Sequence, residues 1–167
     1  MNKGIFIILL LALFQAGIGC NSNPKEEDDL FRFKNSYVGD NGAVGNIARR
    51  LPGPGGEHLD GFELKTTEKP YGIILNYKNS ETNQETMKNY EENALYNASI
   101  MLALVQNADW VTFRYAEQTY TVAREDLQRW YEQDLRDFES ENELIQYIQK
   151  CLEDEDQVTR FFHSVPQ

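Results

Sequence analysis

Cys20 is the residue best placed to do chemistry in this chain. It follows a basic start at Lys3, an apolar run over residues 5–14 and the small-residue stretch Ala16-Gly17-Ile18-Gly19. A signal peptidase requires this layout, a short apolar segment ending in small side chains that fit a cleavage pocket. Cleavage before Cys20 frees a thiol and an α-amine to take acyl chains, and two or more chains hold a protein on a membrane nearly irreversibly at about 0.8 kcal/mol per buried methylene. The expectation is a lipoprotein signal over residues 1–19 and lipidation of Cys20, although Gly17 stands where such signals usually carry Leu. An ordinary secretory signal and an uncleaved anchor are the competing readings. Residues 4–19 fall short of the roughly 20 that a spanning helix needs.

Elsewhere the chemistry is sparse. A zinc centre takes three or four His, Cys or carboxylate ligands, and the two histidines are His58, read as a loop residue, and His163, read as part of the C-terminal tail. Neither a nucleophile elbow nor a phosphate-binding loop is present, because Gly39, Gly42 and Gly45 lack the spacing of one. Those glycines read as positive-φ turn and close-packing positions. The expectation is therefore no metal, no cofactor and no catalytic residue. A candidate ligand or partner loop remains, in which Asp40, Asn41 and Asn46 present polar groups. The enzymatic alternative pairs two carboxylates, such as Asp40 with Glu63. Glu153-Asp154-Glu155-Asp156 reads as a solvated acidic surface, since it lacks the glycine and oxygen spacing of a calcium loop. Trp110 and Tyr115 beside Arg114 read as core aromatics, with a peptide-binding face as the sharper alternative.

Composition narrows the classes of function. The chain has 27 acidic against 16 basic residues and a formal charge of −11, so nucleic acid and anionic lipid surfaces repel it. Cys151 is the one cysteine besides Cys20, and without an internal disulfide an exported domain relies on its hydrophobic core. Cys151 falls on the stripe Leu144, Tyr147, Ile148, Cys151, Leu152, which makes it a buried structural thiol on a helix.

The elements that must position these groups follow from periodicity. Residues 20–29 form a lipid-bearing, polar and acidic tether, and residues 30–167 a single domain. Val44, Ile47, Ala48 and Leu51 repeat as a short helix capped by Asp40 or Asn41 and stopped by Pro52. Two alternating stretches, 62–66 and 73–77, predict a strand pair, and residues 111–115 with 120–122 a second. Between them Met87, Tyr90, Ala94, Ala98, Met101 and Val105 share the face of a long helix. Leu127, Trp130 and Tyr131 mark a further helix supported by a Glu125–Arg129 pair, and Ser140 with Glu143 a capping box ahead of the last clear helix. This order predicts an α+β domain with a mainly antiparallel four-stranded sheet, two strand pairs around a long central helix, covered by helices.

The segments Tyr37-Val38-Gly39-Asp40-Asn41, Val44-Gly45-Asn46-Ile47, Leu51-Pro52, Pro70-Tyr71-Gly72, Asn76-Tyr77, Asn97-Ala98 and Leu102-Ala103-Leu104 with Asn107, and the stretch from Tyr120-Thr121-Val122 to Trp130-Tyr131, carry a family resemblance. Over residues 28–148 the chain resembles an uncharacterised extracellular domain of Gram-positive bacteria, found in lipoproteins and at the end of some BlaR/MecR-type membrane metallopeptidases. Some members of that family carry Ser at the position of Gly42 and Thr at that of Ala123. The resemblance implies a cell-surface setting and a link to sensing of envelope stress, and it supplies no catalytic residues. The expected function is a membrane-anchored, extracytoplasmic, non-catalytic binding or sensing module. Its expected partners are the membrane, through the N-terminal lipid, and another envelope protein or a wall-derived ligand, with no nucleic acid.

Overall fold

Alternating apolar residues at 62–66 and 73–77 do form strands, and they begin a four-stranded sheet. The computed structural model describes residues 29–79 and 89–164. Its strands are β1 (Glu57–Lys65), β2 (Gly72–Asn79), β3 (Trp110–Arg114) and β4 (Thr119–Ala123), ordered β1-β2-β3-β4 across the sheet. The helices are α1 (Asn41–Ala48), α2 (Tyr90–Leu104), α3 (Arg124–Tyr131), α4 (Glu141–Leu152) and α5 (Glu155–Ser164), with 3-10 turns at Leu30–Phe33 and Leu135–Asp137. Cys20, the apolar run, most of the tether and Met87 lie outside the described residues. None of the described helices is long and apolar enough to cross a membrane.

The sheet is mixed, which corrects the mainly antiparallel expectation. Both hairpins are antiparallel, but β2 and β3 at its centre pair in parallel, Ile73 with Val111 and Leu75 with Phe113. The cause is α2. Its 15 residues span about 22 Å, enough to carry the chain back along the sheet so that β3 starts at the end where β2 started.

Apolar side chains stack across the covered face in rungs. Leu64, Ile73, Val111 and Val122 make one, and Phe62, Leu75, Phe113 and Tyr120 the next. The opposite face is polar, with Thr112 and Thr121 hydroxyls 2.9 Å apart and Glu63 bonded to Arg114. Against the apolar face lies α2, whose residues 97–104 are all buried. A helix apolar on every side belongs in the interior, and α2 packs on β3 and β4 while α4, α5 and the Leu135–Asp137 turn cover it. Arg124 locks its end, donating to the carbonyls of Leu102, Val105 and Ala108 at 2.8, 2.9 and 2.8 Å. Burial pushes that guanidinium down to about 10, and it still satisfies carbonyls that a helix C-terminus leaves without partners.

Several local expectations need correction. Strand β1 begins at Glu57, so His58 is a strand residue, and a bulge between Leu59 and Gly61 shifts the alternation by one residue. His163 lies in α5, an additional helix whose first turn is capped by the acidic run, since Asp154 accepts from the backbone N–H of Gln157 at 3.0 Å. Arg129 pairs with Asp126 at 2.9 Å rather than with Glu125. Of the three glycines near α1 none has positive φ, and only Gly45 meets a close approach, from the Phe62 ring about 3.0 Å from where a Cβ would sit.

Candidate functional site

Helices α3 and α5 build a concave surface with an apolar floor. Helix α3 buries Leu127 and Tyr131 and ends where Glu132 turns into the left-handed region at φ 55°. Helix α5 buries Val158, Phe161 and Phe162. Between them opens a groove of about 590 Å³ lined by Asp126, Arg129, Trp130, Gln157, Arg160, Phe161 and His163. Trp130 and Phe161 form its floor, their rings edge to face with centroids 6.0 Å apart. Each helix supplies an arginine immediately followed by an aromatic residue, Arg129-Trp130 and Arg160-Phe161.

The rim charges are not equivalent. Asp126 is occupied by Arg129, whereas Arg160 donates to no acceptor among the described residues and only its field reaches Asp154. The Nδ1 of His163 lies 2.8 Å from the Thr159 carbonyl. A carbonyl only accepts, so Nδ1 carries the proton and Nε2 is left as an acceptor when the ring is neutral.

The residues singled out in the sequence fall in different places. Asp40 is the N-cap of α1, accepting from the Ala43 N–H at 2.9 Å, and Asn46 donates back to the Gly42 carbonyl at 2.8 Å. Asn41 is exposed at the first helical position. Glu63 faces Lys65 and Arg114 on the polar side of the sheet, with bonds of 2.7 and 2.8 Å. The hydrogen bond from Lys65, aided by the charge of Arg114, holds its carboxyl below the usual carboxylate range, the reverse of what a general acid needs. Tyr115 is buried in an aromatic cluster with Tyr77, Tyr90 and Phe113. Trp110 lies over Gly72 and donates its indole N–H to the Pro70 carbonyl at 3.2 Å. Cys151 is half-buried rather than fully buried, and burial raises its thiol pKa. Among the described residues no three His, Cys, Asp or Glu side chains gather as metal ligands.

A buried polar cluster escaped the sequence reading. Glu57, 6% exposed, accepts from the Tyr90 hydroxyl at 2.7 Å and from the Ala116 N–H at 3.1 Å. Asn93 accepts from the Tyr115 hydroxyl at 2.8 Å and from Asn97 at 3.0 Å, and both asparagines donate to the Pro52 carbonyl. Tyr77 Oη and Asn97 Oδ1 lack a hydrogen-bond partner among the described residues. Asn97 is nonetheless near enough to oppose, in part, the burial that raises the Tyr77 hydroxyl's pKa. This cluster ties the Pro52 turn and the β3–β4 turn to α2, and its hydrogen bonds are internal ones. No apolar period announces it, because the β1 bulge puts Glu57 on the covered face out of phase with Phe62 and Leu64.

An α+β domain with an open groove beside its sheet is thus the class that fold and site define. The chain belongs to the family described as Domain of unknown function (DUF4825), whose model matches residues 30–125. No curated protein and no solved structure matches the chain. The Glu57 cluster lies inside the matched residues, and every residue lining the groove lies beyond them.

Proposed function

We propose that this chain is a lipid-anchored, extracytoplasmic binding or sensing module of the cell envelope that uses the groove between α3 and α5 as its contact face. The observation that carries the reading is the groove itself, an aromatic floor edged by arginine on an otherwise strongly acidic chain. Open concave surfaces that combine a few polar groups with an apolar floor are the usual form of a ligand site. Cys20 behind its apolar leader supports the location, and the likeness to lipoproteins and to the terminal domains of BlaR/MecR-type proteins supports a sensing role in Gram-positive bacteria. The partner is another envelope protein or a wall-derived ligand. We assign Asp40 and Asn46 to the scaffold, since their contacts complete α1. An envelope enzyme working through Asp40 and Glu63 finds less support, because Glu63 is engaged by two cations.

The anchoring half of this reading is tested by metabolic labelling with a fatty-acid probe. Wild-type chain is expected to take the label and to sediment with membranes. The Cys20→Ala variant is expected to do neither. Equal labelling of the two would remove the lipid anchor from the account.

A further inference from the structure

The identity of the ligand can be narrowed by chemistry. Resting on the reading of the groove as a binding face, we propose that it takes the C-terminal end of a peptide whose last residue is aromatic or large and apolar. Two kinds of contact are offered side by side. The half-buried Trp130 ring, backed by the buried Phe161, suits a flat apolar group, and the guanidinium of Arg160 donates to no acceptor among the described residues. A terminal residue carries a carboxylate and a side chain on one Cα, which matches a cation at Arg160 and an aromatic ring at Trp130 lining the same groove. Arginine's forked donors fit a carboxylate in two parallel hydrogen bonds.

Charge adds selection to shape. The chain bears −11 overall, so its field repels a carboxylate from most of the surface. Within the groove the Arg129–Asp126 pair is locally neutral and Arg160 adds a positive charge, whose field also reaches Asp154. Asp126 does not draw an ammonium in, because Arg129 already holds it at 2.9 Å. A carboxylate therefore gains at this place what it loses elsewhere, the pattern by which electrostatics confers specificity. The groove volume of about 590 Å³ lies within the roughly 300–1,000 Å³ of sites that hold small ligands, enough for the last residues of a peptide.

The test uses the full chain labelled with ¹⁵N and held in detergent micelles. Its two tryptophans give two indole N–H signals, assigned with Trp130→Phe. The probes are acetyl-Ala-Ala-Phe with a free carboxylate, the same peptide amidated, and acetyl-Ala-Ala-Ala with a free carboxylate. The first is expected to shift the Trp130 signal and leave that of Trp110 in place. Amidation, loss of the ring, or Arg160→Gln is each expected to weaken binding by about tenfold or more. Equal binding of acid and amide, unmoved by Arg160→Gln, would overturn the carboxylate assignment and leave the groove standing as a binding face. No shift of Trp130 with any of the three at roughly millimolar concentration would overturn the peptide-end assignment. Binding that shifts only Trp110 would overturn both.

Discussion

Tyr90 and Tyr77 sit in the same buried cluster yet make opposite energetic predictions. The Tyr90 hydroxyl donates to the Glu57 carboxyl group, so Tyr90→Phe leaves a buried acceptor short of a hydrogen bond and is expected to cost about 2 kcal/mol. The Tyr77 hydroxyl is bonded to nothing among the described residues, so Tyr77→Phe is expected to change stability by less than about 1 kcal/mol. Urea unfolding of both variants checks the pair, and a larger loss from Tyr77→Phe would break the account of the cluster. Glu141 supplies a pH test. Burial and its hydrogen bond with Asp29 raise its carboxyl pKa, against the Leu30 N–H and Arg50. The folded state then holds this proton more tightly than the unfolded chain, so stability falls as pH rises from the ordinary carboxylate value through the raised one. Glu141→Gln mimics the protonated form. It is expected to stabilise the fold at pH 7 and to have little effect below the ordinary carboxylate value, as read by melting temperature across that range.

Among the elements, α1 gives the plainest test of a sequence inference. Asp40 is its cap and Asn41 its first helical residue, so Asp40→Ala is expected to cost about 1 kcal/mol and Asn41→Ala a few tenths. Thermal unfolding of the two variants separates them. Most elements were legible because each had its own period or cap, as with the Ser140 cap of α4, which accepts from the Glu143 N–H at 3.2 Å. The parallel pairing of β2 with β3 was not legible, since periodicity says which residues form strands and is silent on how a connecting helix returns the chain. Half of the candidate site was visible, for Arg129 and Trp130 sat on a recognised helix. The other half was hidden in α5, where Val158, Phe161 and Phe162 are buried at helical spacing behind an acidic run. That run resembles solvated surface until Asp154 is seen bonding the Gln157 N–H.

Across the whole molecule, segments that look like separate motifs in the sequence close on one another. The Val38 N–H donates to Asn107 at 2.7 Å, the Tyr71 N–H to Asp109 at 2.6 Å, and Asn97 to the Pro52 carbonyl at 2.9 Å. Each contact satisfies a backbone group at a loop, so the segments that carry the family resemblance hold the scaffold together, as buried backbone groups require. The groove stands apart, on helices beyond the residues the family model matches. This division leads to the central claim, that a shared scaffold displays a contact face built by its C-terminal helices. The most direct measurement is site-specific photo-crosslinking on intact cells. A benzoylphenylalanine is placed at Gln157 on the groove rim or, as control, at Tyr37, which is 57% exposed near the start of the domain. The account predicts a discrete adduct from Gln157 that disappears in the Trp130→Ala, Arg160→Gln double variant, and none from Tyr37. An adduct that survives the double variant, or one that forms from Tyr37 alone, would contradict it.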